Sequence, residues 1–133
     1  MPTIKSPSSA AMAVASSALR AQQARMRIIA ENIANANSTS PTKGGDPYRR
    51  QIPVFETQRL GQGVEGVRMK GVEPDMRDFK TEYDPGHPSA NAEGYVKTPN
   101  VDTLVEALDM SQARRAYEAN LNVIETARSM EMR

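Results

Sequence analysis

The sequence predicts a mainly α protein with a small β-containing middle, and three observations carry that prediction. All 8 Gly and 7 of the 9 Pro lie between Pro41 and Pro99, so the helix-breaking residues are confined to the centre of the 133-residue chain. Five of the six aromatic residues (Tyr48, Phe55, Phe79, Tyr83 and Tyr95) fall in the same stretch, which suits strands and turns. Outside it, apolar residues recur at helical spacing. The expected organisation is one discontinuous helical unit, residues 8–36 and 100–133, interrupted by an irregular or β-hairpin segment, residues 37–99.

The first helix is expected to start at Ser8 or Ser9, just after Pro7. Met12, Ala15, Leu19, Met26, Ile29, Ile33 and Ala36 then follow an alternating three and four spacing, with Gln22 the one polar entry. More than three heptads of this kind describe a coiled-coil stripe against another helix. Arg20, Arg25 and Arg27, opposed by Glu31 alone, leave this helix basic.

The last helix has two possible starts: Thr98 with Pro99 in the first turn, or Asn100 as cap with Asp102 just inside. Acidic residues near its beginning and Arg128 and Arg133 near its end complement the helix dipole. From Val101 to Met132 it would extend roughly 48 Å at about 1.5 Å per residue. Its six acids and four arginines sum to −2, opposite in sign to the first helix. At about 100° per residue, Val101, Leu104, Val105 and Leu108 share one side, whereas Met110, Ala113, Tyr117, Leu121 and Ile124 point nearly the other way. Either a second neighbour covers the extra stripe, or a stutter in the repeat rotates the two stripes into one.

Composition excludes several classes of function. A chain of 14.6 kDa has room for one ordinary domain. The net charge of +1 gives no general pull toward nucleic acid or anionic lipid. With no Cys and one His, disulfides, thiolate chemistry and imidazole-rich metal sites are not expected, and no cofactor is implied. The longest strongly apolar run, Ala10 to Ala15, is far short of the about 20 residues of a spanning helix. Met1 to Ser9 lacks the apolar block of a secretory signal, so export, if it occurs, is expected to use another route. At 38% apolar and 25% charged, the chain is expected to have a thin core.

No motif reads as a catalytic site. Gly61, Gly63 and Gly66 spell G-x-G-x-x-G, but the alternating Val67 to Val72 that follows is a strand pattern, so these glycines read as a hairpin or loop. His87 sits in a Pro/Gly turn and is expected to be exposed. Asp75, Asp78, Glu82 and Asp84 lack the spacing of a calcium loop and read as a solvated face. The Met residues read as core or interface filler, and Arg49-Arg50 and Arg114-Arg115 are too isolated for a nucleic-acid patch. An enzyme is therefore not expected.

The stretch ENIANANS (Glu31 to Ser38) ends the first helix with three Asn, residues that tolerate left-handed geometry and bond their own backbone. It also closely resembles the signature of flagellar rod, hook and hook-associated proteins. PYRRQIPVFE (Pro47 to Glu56), YDPGHPSANAEGYVKTPNVD (Tyr83 to Asp102) and SQARRAYEANLNVIETARSM (Ser111 to Met130) extend the resemblance, from about residue 11 to 130, to the flagellar basal-body rod family and its proximal rod members in particular. His87 stands where that family usually has Asn, and Asn91 where Asp is common.

The resemblance implies a structural subunit of the periplasmic rod, exported without a cleaved signal through the flagellar type III apparatus, with FlgB, FlgF, FlgG, FliE and further copies of itself as partners. It implies neither nucleic-acid binding nor membrane insertion. The terminal helices of that family pair as an antiparallel coiled coil lining a tube that transmits torque. The expected assembly interface is Met12, Leu19, Met26, Ile29, Asn32, Ile33, Asn35, Leu104, Leu108, Tyr117, Leu121 and Ile124. The alternative is a soluble helical-hairpin adaptor or export chaperone that binds a client instead of its own kind.

Overall fold

A computed structural model describes residues 6–61 and 63–132. The expected contributions of Arg133 and of the first five residues lie outside them. The chain forms a long helix α1 (Pro7–Ala34), a hairpin of β1 (Gln51–Gly61) and β2 (Val64–Pro74), a second small hairpin of β3 (Lys80–Tyr83) and β4 (Tyr95–Thr98), and a long helix α2 (Thr103–Glu131). Both strand pairs are antiparallel and form separate two-stranded sheets. No helix among the described residues is long and apolar enough to cross a membrane.

Both helix starts differ from the expectation. Ser6, not Ser8 or Ser9, caps α1: its side chain accepts from the Ser9 amide at 3.1 Å. Pro7 then occupies the first turn, where a missing N–H costs nothing and a fixed φ already suits the helix. Asp102 caps α2, accepting from Leu104 N at 3.0 Å and Val105 N at 3.4 Å. Asn100 is drawn away from that role because its amide is used elsewhere, as described below. At the far end of α1 the helix closes at Asn35, whose Nδ2 donates to the Glu31 carbonyl at 2.8 Å, so Asn acts as the stop the composition implied.

The helices run antiparallel and pack along each other. At one end the Glu131 carboxylate accepts from Ser6 Oγ at 2.7 Å and from Ser8 and Ser9. Further along, Arg25 lies 3.9 Å from Asp109. The β1–β2 hairpin lies against another side of α1. Gly63, at φ +69°, makes the hairpin turn and confirms a hairpin in place of a phosphate loop. The turn at His87 is held by His87 N to Asp84 O at 3.0 Å and by Asn91 Oδ1, which accepts from the amides of Glu93 and Tyr95. His87 is half-buried, against the expectation, because its Nδ1 accepts from Ser89 N at 3.0 Å.

The interior is thin. Ten apolar residues are buried among the described residues, and six of them are Ala, so helix contact rests on close backbone approach more than on large side chains. The most deeply enclosed side chains include Glu106, Asn32 and Ser17. Enclosed polar groups are tolerated only when hydrogen-bonded, and their partners define the site.

Candidate assembly interface

Two polar locks fix the middle segment to the helices. In the first, Asn32 projects from α1 onto the start of β1. Its Oδ1 accepts from Gln51 N at 2.9 Å and from Tyr48 Oη at 2.6 Å, and its Nδ2 donates to Gln51 O at 2.9 Å. Burial, with Glu31 and Glu106 nearby, raises the Tyr48 pKa and keeps this donor protonated. In the second, Ser17 Oγ donates to the Val14 carbonyl and accepts from Val67 N at 3.1 Å, tying β2 to α1.

A charged junction joins β1, β2 and α2. The Arg50 guanidinium donates through Nε to Glu106 and through Nη1 to Asp75 at 3.2 Å, and reaches to 3.9 Å from Asp109. Arg77 grips Asp75 from the other side, with Nε at 3.0 Å and Nη2 at 2.6 Å. These Arg77 hydrogen bonds, with its backbone amide and Arg50, overcome burial and hold the Asp75 carboxyl far below the usual carboxylate range. Burial opposes the charge of Arg50, yet Glu106 and Asp75 outweigh it and raise the Arg50 pKa. Asn100 completes the junction: Oδ1 accepts from Arg50 N at 2.8 Å, and Nδ2 donates to the carbonyls of Asp75 and Arg77.

Asp75 is thus not part of a solvated face, whereas Asp78, Glu82 and Asp84 are exposed. Arg49 stacks over Phe79 at 4.1 Å and donates to the carbonyls of Asp75 and Arg77. The Arg49-Arg50 pair, unpromising as a nucleic-acid patch, is the centre of the internal scaffold. Among the described residues no group of acids and His is arranged to hold a metal ion.

The residues expected at the assembly interface fall into distinct environments. Asn32 and Ile29 are enclosed inside the subunit, and Asn35 serves as the α1 cap. Met12, Leu19 and Met26 are half-buried, while Ile33 is 37% exposed. On α2, Tyr117 and Ile124 are half-buried beside Ala113 and Ala127, on the inward side, with Leu121 at its edge. Leu104 and Leu108 are 70% and 59% exposed, and Val105, Val123 and Met130 extend that outward surface. Val101, expected on this outward stripe, lies before the helix and is buried. The two α2 stripes therefore stay on separate faces of one uninterrupted helix. No local pattern in the sequence marks this junction, although Arg50 and Asp75 stand at the two ends of one hairpin.

Residues 12–40 match the family described as "Flagella basal body rod protein", and residues 92–133 match "Flagellar basal body rod FlgEFG protein C-terminal". The helix-bearing ends are the parts that match, and they define a structural subunit of the flagellar basal-body rod, associating with other rod components, and not an enzyme. The chain is 49% identical over 125 residues to the flagellar basal-body rod protein FlgC of Agrobacterium fabrum, covering 93% of this chain and 90% of that relative. It is 43% identical to FlgC of Salmonella typhimurium over 119 residues, 88% and 87% of the two chains, and 37% identical to FlgC of Bacillus subtilis over 136 residues, 90% and 91%. The chain belongs to the FlgC family of flagellar basal-body rod proteins.

Proposed function

We propose that this subunit builds the proximal rod by adding to a helical tube through its terminal helices, with residues 8–36 and 100–133 as the axial core and 37–99 on the outside. The observation that carries this reading is the outward face of α2. Leu104, Leu108 and Met130 stay exposed although the opposite face of the same helix already packs on α1. Covering each such side chain contributes about 1.5–3 kcal/mol, so a few per contact outweigh the surface ion pairs. A head-to-tail contact whose rotation does not close generates a helical array.

The α1–α2 pair acts as an antiparallel coiled coil, and torque passes through packed helices across the periplasm. The subunit reaches that compartment through the flagellar type III apparatus without a cleaved leader, and its neighbours are FlgB, FlgF, FlgG, FliE and further copies of itself. Membership of the rod family favours these partners over the client of a helical-hairpin adaptor. The test is complementation of a strain lacking this gene by Leu108→Asp or Leu121→Asp. Export should continue while rod growth and motility stop, and normal motility with both variants would overturn the reading.

A further inference from the structure

The helices carry exposed charges that no ion pair within the described residues uses. On α1 these are the trio Arg20, Arg27 and Glu31; on α2 they include Arg115 and Arg128 as well as the trio Arg114, Glu118 and Glu125. At about 100° per residue each trio falls within about 40° on its own helix. The α1 trio borders the incompletely covered stripe Met12, Leu19, Met26 and Ile33, and the α2 trio borders Leu121. Read from the N-terminus, α1 presents plus, plus, minus at spacings of seven and four. Read in reverse, α2 presents minus, minus, plus at the same spacings. One antiparallel register therefore places Arg20 opposite Glu125, Arg27 opposite Glu118 and Glu31 opposite Arg114.

That register is not the one within the subunit. Inside the chain Arg25 is level with Asp109 and Ser8 with Glu131, so the charge-matched register is displaced by roughly 6–11 residues, or about 9–17 Å at 1.5 Å per residue. We propose that a second copy of this chain lays its α2 antiparallel along the exposed side of α1, with these three pairs setting the register and Leu121 entering the Met12–Leu19–Met26 stripe. Charge order selects the partner, as flanking charges do in coiled coils. The axial displacement makes the contact staggered and head-to-tail, so it propagates as a helix and does not close as a dimer. This inference rests on the rod-subunit reading and specifies which surfaces meet.

The test uses the full chain in three forms: Arg20→Glu/Arg27→Glu/Glu31→Arg, Arg114→Glu/Glu118→Arg/Glu125→Arg, and the six changes combined, each checked for unchanged helix content by circular dichroism. In sedimentation velocity at low salt the wild type should associate, each triple variant should associate at least about tenfold more weakly, and the combined variant should recover. Equimolar triple variants should recover growth, because each presents the charge order that matches the other at both surfaces and the two alternate along the array; no recovery in the mixture overturns the seam. Wild-type strength in both triple variants, or no recovery in the combined one, overturns the seam. So does a wild type that stays monomeric, or one that associates only when another rod protein is added. The same variants are tested for motility in a strain lacking this gene. If the triple variants swim normally and the wild type does too, the seam fails while the rod reading stands. If the wild-type gene itself does not restore motility, the rod reading fails.

Discussion

Asn32 holds Gln51 by both sides of its backbone, with the side-chain amide accepting from Gln51 N and donating to Gln51 O, each at 2.9 Å. An amide side chain on a helix thereby substitutes for the neighbouring strand that β1 lacks at that point. The Asn-rich end of α1 has two separate tasks: Asn35 stops the helix, and Asn32, three residues earlier, seeds the sheet.

Replacing Asn32 by Ala removes three hydrogen bonds at an enclosed site and leaves the Gln51 amide and carbonyl without partners. Each buried unpaired group costs about 1–3 kcal/mol, and water entering the vacated space recovers part of that. The expected loss is about 2–4 kcal/mol, read from urea denaturation followed by circular dichroism. A loss below about 0.5 kcal/mol would show that the Asn32 bonds do not hold β1 in place.

Gly66 lies against α1 so closely that an added Cβ overlaps Ser17 Oγ and sits 2.7 Å from Leu60 Cδ1. Gly66→Ala therefore forces the hairpin off the helix and weakens the bond from Val67 N to Ser17. Overpacking of this kind costs about 1–3 kcal/mol. Ser17→Ala, which removes only the hydroxyl, should cost about 1 kcal/mol. Because the two residues touch, the double variant should lose less than the sum of the singles. Strict additivity in that double-mutant cycle would separate them.

The charged junction makes stability depend on acid. The folded-state pKa of Asp75 is depressed below its unfolded value of about 3.9, first by Arg77. Its stabilisation is therefore fully present above about pH 4 and is lost as pH falls from there toward the depressed folded value. Urea midpoints measured from pH 7 to pH 2 should stay level for this group until about pH 4 and then decline. Asp75→Asn should start lower and decline less steeply in the acid range. An equal acid slope in the two proteins would remove Asp75 as the source.

Glu106 is fully enclosed and anchors the first turns of α2 to Arg50, whereas the rest of α2 buries only Ala113 and Ala127. The far half of α2 in a free subunit is therefore expected to fray, since an isolated helix needs packing to persist. Amide hydrogen exchange on dilute protein should be at least about a hundredfold faster over Leu121 to Met130 than over Ile28 to Ile33. Strong protection throughout α2 would mean that the monomer satisfies the helix alone.

The division into helix, strand- and turn-rich middle, and helix was legible because it rests on local rules. Gly and Pro confined to residues 41–99 marked where helices cannot run, Gly61 and Gly63 marked a turn, and the Asn run marked a stop. The two apolar faces of α2 were also visible, because helical period alone separates them. Which face turns inward was not visible in that period. The contacts that settle it join residues far apart in the chain, such as Arg50 with Glu106 and Asp75, or Asn32 with Gln51. Periodicity reports the neighbours of a residue along its own helix, while burial of Glu106, Asn32 and Ser17 depends on partners that arrive from other elements. Polar side chains look like surface until those partners are in place, and here they form the interior because the enclosing alanines leave room for backbone and polar groups to meet.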